Sequence, residues 1–130
     1  MALSFPSDCR YADSHEYVRP EGERARLGLS AFAVDQLGDI VFVELPEVGA
    51  ELSCGQSFGS VESVKAVEDL LAPISGVVEA RNEAVLANPE ELQNDPYGEG
   101  WLLLVRPEVP EQLDALMPAD TYAAKVQGQG

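Results

Sequence analysis

In 130 residues the chain has one histidine, two cysteines, one tryptophan and only eight lysines and arginines. With His15 as the sole histidine, no multi-histidine metal site can be assembled. A Ser-His-Asp or Cys-His mechanism would rest on that residue alone, with no nucleophile elbow beside it, so His15 reads as a packed structural residue. Cys9 and Cys54 form no C-x-x-C pair, which removes zinc knuckles and thioredoxin-type redox chemistry; two free thiols of a reducing compartment are expected. Eight bases against 23 acids leave a formal charge of −15, a field that repels phosphate backbones and anionic lipid surfaces. Nucleic acid is therefore not an expected ligand. The longest apolar runs, DIVFVEL and WLLLV, fall short of the roughly 20 residues of a membrane span. The N-terminal MALSFPSDCRYADSHEY has neither the cationic head and apolar stretch of a signal peptide nor the arginine-rich character of a transit peptide. A cytoplasmic, bacterial-type chain is expected, mitochondrial only if an address has been removed. EF-hand spacing and Gly-rich phosphate loops are also missing, and carboxylates are too numerous for any one pair to be diagnostic.

What remains is ordinary for a soluble globular protein, with 45% apolar and 24% charged residues. The length suits one domain, 1–130. Gly and Pro recur at short intervals between β-branched, alternating stretches, which predicts a mainly β chain with short helices. HEYVRP (15–20) and ERARLGLS (23–30) flank Glu21-Gly22 as a hairpin. SAFAVDQLG (30–38) predicts a short helix capped by Ser30, ended by Gly38, with Phe32, Ala33 and Leu37 on one face. DIVFVELP (39–46) reads as a buried strand, and two more extended pieces flank Cys54-Gly55. NPEELQND (88–95) predicts a helix capped by Asn88 with Pro89 at its first position. WLLLVRP is another strand, and PEQLDALMPADTYAAKV a terminal helical segment broken near Pro118, with Leu113, Leu116 and Met117 on one face.

Lys65 stands apart. Between Arg26 and Arg81 it is the only Lys, Arg or His, among nine carboxylates: Asp35, Asp39, Glu44, Glu47, Glu51, Glu62, Glu68, Asp69 and Glu79. In VESVKAVED the valines at 61, 64 and 67 predict two short strands meeting in a turn at Val64-Lys65-Ala66, which projects the amine into solvent. Local physics favours a surface lysine neutralised by Glu62 and Glu68, since a solvated amine is mostly protonated and a poor nucleophile. An amine presented alone on a tight turn is also what a modifying enzyme requires.

SHEYVR, LGDIVFVELPEVG, FGSVESVKAV, APISGVV and NDPYGEGWLL together resemble the H proteins of the glycine cleavage system, over about residues 11–125, with residues 1–10 and 127–130 as loose ends. The resemblance implies a barrel-sandwich hybrid of the lipoyl-domain type with short helices and a C-terminal helix. It implies lipoic acid in amide linkage on Lys65, and a cleft for the aminomethylated arm lined by Ser14, Glu16 and Asp69. It further implies a carrier without catalysis of its own, a monomer. That carrier takes an aminomethyl group from a pyridoxal-phosphate glycine decarboxylase to a tetrahydrofolate-dependent aminomethyltransferase. A dihydrolipoyl dehydrogenase using FAD and NAD reoxidises it, and lipoylating enzymes load it. Tyr17 replaces the family's usual tryptophan, and Ala31 stands where an aspartate is common. The alternatives are a lipoyl relay that donates its group to other enzymes, a biotinyl or simple lipoyl domain, and an unmodified acidic adaptor. Biotin carriers flank the lysine with methionines, where Val64 and Ala66 stand here.

Overall fold

The computed structural model describes residues 3–127. β1 (Arg10–Tyr11) leads into β2 (Glu16–Glu21), which turns back into β3 (Arg24–Leu29). The expected hairpin is there, with its turn one residue later, at Gly22-Glu23. Glu21 stays paired with Arg24 because Gly22, at φ 67°, supplies the left-handed conformation that opens the turn. Tyr17 pairs with Gly28 across the hairpin, and a Cβ at Gly28 would lie 2.5 Å from the tyrosine ring. The missing side chain is what lets the buried ring cross the neighbouring strand and donate its hydroxyl to Pro96 O at 2.7 Å.

α1 (Ala31–Leu37) is capped as expected: Ser30 Oγ accepts from Ala33 N at 3.2 Å, worth about 1 kcal/mol, and Gly38 at φ 77° ends it by donating to Val34 O. Its buried residues are Val34 and Leu37. Phe32 instead turns to a separate aromatic cluster, so the expected face was rotated and omitted Val34.

β4 (Ile40–Glu44), β6 (Ser57–Ser63) and β7 (Val67–Leu71) form one antiparallel sheet in the order β4-β6-β7. β5 (Glu51–Leu52), β8 (Gly76–Arg81), β9 (Leu103–Pro107) and β10 (Met117–Pro118) join the first three strands in the order β10-β1-β2-β3-β9-β8-β5. One apolar core unites them, with Val43, Val61 and Leu70 from the small sheet and Val18, Leu27, Val78, Leu103 and Val105 from the large one. The chain is mainly β. β4 is an edge strand, and a register shift between Ile40 and Phe42 leaves Val41 and Phe42 50% and 53% exposed, so it is not the buried strand its apolar run implies.

The expected short helix within 88–95 is α3 (Glu91–Asn94), which starts later than its expected cap, and an unexpected helix, α2 (Glu83–Ala87), precedes it. Asn88 closes α2 instead of opening a helix, its N–H donating to Ala84 O. Buried Asn82 caps α2 and also donates to Glu99 O and Trp101 O, both at 2.7 Å. The terminal segment is a 3-10 helix (Pro110–Ala115), then β10, then α4 (Ala119–Gln127). Its break near Pro118 is a strand that pairs with β1.

That pairing corrects the expectation of a loose start. Cys9 and Tyr11 are buried with Tyr17, Tyr122 and Val126, and Phe5 packs against them. Tyr11 stacks on Tyr122 with ring centres 4.6 Å apart and donates to Pro6 O at 2.8 Å. Residues 5–11 therefore have apolar area to bury. Positions 1, 2 and 128–130 of the expected loose ends lie outside the described residues, and Gln127 closes α4.

Candidate functional site

The turn between β6 and β7 is Val64-Lys65-Ala66. It is held by Ser63, a residue with no role in the sequence reading. The buried Ser63 Oγ accepts from Lys65 N at 3.2 Å and Ala66 N at 3.1 Å, while Ser63 N donates to Ala66 O at 2.8 Å. A serine hydroxyl taking the N–H groups two and three residues ahead is the ST-turn arrangement, and it leaves no turn amide of Lys65 or Ala66 unpaired. Val64 N donates to Asp39 O at 3.0 Å, which ties the tip to the segment after α1. Lys65 is exposed, and its stem lies over the end of α1, where a Cβ on Gly38 would stand 3.7 Å from Lys65 Cε. Among the described residues it is the one Lys or Arg that makes neither a salt bridge nor a side-chain hydrogen bond; the other seven are all engaged. Glu62 and Glu68 do not neutralise it.

Beside the tip lies a cleft of about 290 Å³. Ser14, Glu16 and Asp69, widely separated in sequence, all line it, as do Leu29, Phe32, Leu37, Val61 and Leu70. Lys65 is not part of its wall, but Ala66, the next residue, is. Glu68 and Gln36 are polar lining residues that sequence reasoning did not select. Antiparallel register brings β7 to this edge, with Val61 opposite Glu68 and Ser60 opposite Asp69.

Glu16 is fully buried, and both its oxygens are engaged: Ser14 Oγ donates to Oε1, and Leu71 N donates to Oε2 at 3.0 Å. The carboxylate thus bolts the start of β2 to the end of β7, across the cleft floor. Burial raises the Glu16 carboxyl above its ordinary range, against the Ser14 and Leu71 hydrogen bonds, which favour the charged form. Its folded pKa lies above the ordinary 4.5, so its contribution to stability is fully present below pH 4.5 and is lost as pH rises through the folded value. Glu16→Gln is expected to raise the thermal midpoint at pH 7 relative to the native chain, the gap closing near pH 4. Thermal unfolding at the two pH values checks this, and a gap independent of pH contradicts it.

His15 also lines the cleft, at φ 80°, a conformation that only a few per cent of non-glycine residues adopt. The strained backbone carries the imidazole onto Phe32, ring centres 5.0 Å apart, and brings Nδ1 to 2.7 Å from Tyr122 Oη. Tyr122 Oη is in turn 2.7 Å from Ser30 Oγ, the cap of α1. A hydrogen-bonded chain thus runs from α4 through the cleft wall into α1. Burial, helped by Lys125 and opposed by Asp13, holds the imidazole below its ordinary 6.5, so it is neutral at neutral pH. Its observed setting is that of a packed, hydrogen-bonded residue.

A two-sheet β fold with an exposed lysine on a tight hairpin, unpaired among the described residues, next to a cleft lined by apolar and acidic groups, is the architecture of a carrier domain. The profile of the family described as Glycine cleavage H-protein matches residues 9–129. The chain belongs to that family, whose members are carrier subunits of the glycine cleavage system. It is 70% identical over 126 residues to the glycine cleavage system H protein of Synechococcus sp. (strain WH7803), covering 97% of this chain and 98% of the relative. Identity to that of Prochlorococcus marinus (strain MIT 9313) is 67%, over 97% of this chain and 96% of the relative. The crystal structure of a glycine cleavage system H protein from Mycobacterium marinum superimposes with a TM-score of 0.88 at 41% identity, covering 95% of this chain and 99% of that one. The fold is thus the expected barrel-sandwich hybrid with a C-terminal helix. Among the described residues no helix is long and apolar enough to cross a membrane.

Proposed function

We propose that Lys65 bears a lipoyl group in amide linkage, and that this single domain, a cytoplasmic monomer without catalysis of its own, is the lipoyl carrier of glycine cleavage. Its partners are then a pyridoxal-phosphate decarboxylase, a tetrahydrofolate-dependent aminomethyltransferase, a flavin- and NAD-dependent dihydrolipoyl dehydrogenase, and the enzymes that attach the arm. The observation that carries the reading is Lys65 itself: an exposed amine without a partner, on a turn whose backbone is pinned, one residue from the cleft.

The donor set suits the group. Leu29, Phe32, Leu37, Val61 and Leu70 offer an apolar lining for an aliphatic arm and its dithiolane, and Ser14, Glu68 and Asp69 offer oxygens for a cationic amine. When bound, the lipoyl group supplies a disulfide that accepts the aminomethyl group of glycine. The chain supplies the rest. Ser63 pins the backbone of the turn from which the Lys65 side chain leaves. The apolar wall excludes water from a load prone to hydrolysis. Glu16, with both oxygens committed, keeps β2 and β7 at the separation the cleft needs rather than offering a vacant acceptor.

Intact-mass spectrometry of protein from its native cell tests the attachment: a lipoyl-sized increment mapping to Lys65 is expected. Glycine decarboxylation reconstituted with the partner enzymes then separates a shuttle from a relay. A fully lipoylated chain that supports no decarboxylation would sink the shuttle reading, and uniformly unmodified Lys65 would sink both.

A further inference from the structure

Resting on the reading of Lys65 as the attachment point, the geometry points to the outer face of the β4-β6-β7 sheet as the docking surface for the enzyme that acylates this lysine. Its centre on this chain is Phe42, a residue outside the hairpin that carries Lys65. Register places Phe42 opposite Glu62, and Glu62 opposite Val67, so the three side chains form one row on one face. Phe42 is 53% exposed, Val67 64% and Val64, at the tip, 71%. A phenylalanine and two valines open to solvent around one lysine form an apolar patch that burial against a partner would remove from water.

The charges specify the partner. The six ion pairs among the described residues use Asp8, Asp13, Glu21, Glu79 and Glu83. Exposed Asp39, Glu44 and Glu62, which lie in or beside the patch, enter none of them. The complementary surface is an apolar pocket rimmed by arginine and lysine.

Reach selects which enzyme this is. Enzymes that work on the far end of a lipoyl arm can act at a distance from the lysine. The acylating enzyme cannot, because its chemistry is at Nζ. With an acyl adenylate as donor, the deprotonated Nζ attacks the acyl carbon, the C–N bond forms, the C–O bond to AMP breaks, and the amine's remaining extra proton passes to solvent or base. That enzyme must cover the residues flanking Lys65.

The test supplies full-length chain to a lipoate-attaching ligase with ATP and lipoate, and follows the mass gain on Lys65 against chain concentration. Phe42→Ser is expected to lower kcat/KM at least tenfold, mainly through KM, as for a truncated interface anchor of roughly hot-spot size. Glu62→Lys on the same row is expected to do likewise, and to lessen the sensitivity of the rate to salt. Val48→Ser, at an exposed valine outside this sheet, is expected to match the native chain. Circular dichroism melts accompany each variant, and Glu62→Lys stands in should Phe42→Ser fail to fold. Native modification with Phe42→Ser and Glu62→Lys at the native kcat/KM overturns the docking face alone. Equal loss in Val48→Ser also overturns it, as does concentration-dependent dimerisation abolished by Phe42→Ser. A native chain that gains no mass overturns the reading of Lys65 as well.

Discussion

Lys65→Arg is expected to carry no lipoyl increment and to reduce glycine decarboxylation, in the reconstituted system, to the level seen with no carrier present. The substitution keeps the positive charge and most of the stem, yet a guanidinium stays protonated and offers no nucleophilic lone pair. Because Lys65 makes no side-chain bond among the described residues, the variant is expected to unfold within about 0.5 kcal/mol of the native chain. Mass spectrometry, the decarboxylation assay and a urea melt read the three outcomes from one preparation. A Lys65→Arg chain that sustains decarboxylation above the no-carrier level refutes the assignment.

Gly59→Ala is expected to produce the largest loss of stability from a single added methyl group. A Cβ there would fall inside the van der Waals shell of the Glu44 carbonyl oxygen, on the neighbouring strand of the sheet that bears the Lys65 hairpin. Backbone cannot swing aside as a side chain can, so β4 and β6 would have to part, at a cost of roughly 3 kcal/mol. The contrasting site is Gly22, where a Cβ meets nothing within 4 Å and the penalty comes only from its φ of 67°, about 1 kcal/mol. Urea melts of the two alanine variants compare them directly. Equal losses would mean that the strands do not approach so closely at Gly59.

How much of this was legible in the sequence depends on how local each signal is. Lys65 stood out because its isolation among carboxylates and the valines around it are features of one short stretch. Ser30 and Gly38 bounded α1 for the same reason: caps act within a turn of the residues they cap. The cleft could not be read that way. Ser14, Phe32, Val61 and Asp69 become neighbours only through strand register, and composition carries no trace of it. The family resemblance grouped only Ser14, Glu16 and Asp69 of the cleft's lining, and passed over Glu68, which lines it as Asp69 does. Ser63 had a signal that went unused: a serine two and three residues before Lys65 and Ala66 has the spacing of an ST-turn. Asn82 preceding EAVLA was likewise a cap signal, overshadowed by Asn88-Pro89. The burial of residues 5–11 was hidden because its cause, β10 and α4, lies at the other end of the chain.

That last dependence bears on the order in which the molecule can be made. The hairpin of Lys65 is built from near neighbours, Ser57 with Leu71 and Glu62 with Val67. The cleft wall is completed by the His15–Tyr122 hydrogen bond, which joins residues 107 apart. Short loops close early and at little entropic cost, whereas long-range contacts come last. On a ribosome, the β6-β7 turn emerges before Tyr122 exists, so Lys65, the proposed attachment point, is available before the cleft beside it is complete. Synthesis therefore separates in time what the finished fold joins in space: the lysine-bearing turn first, and the completed cleft only when the final helix has docked.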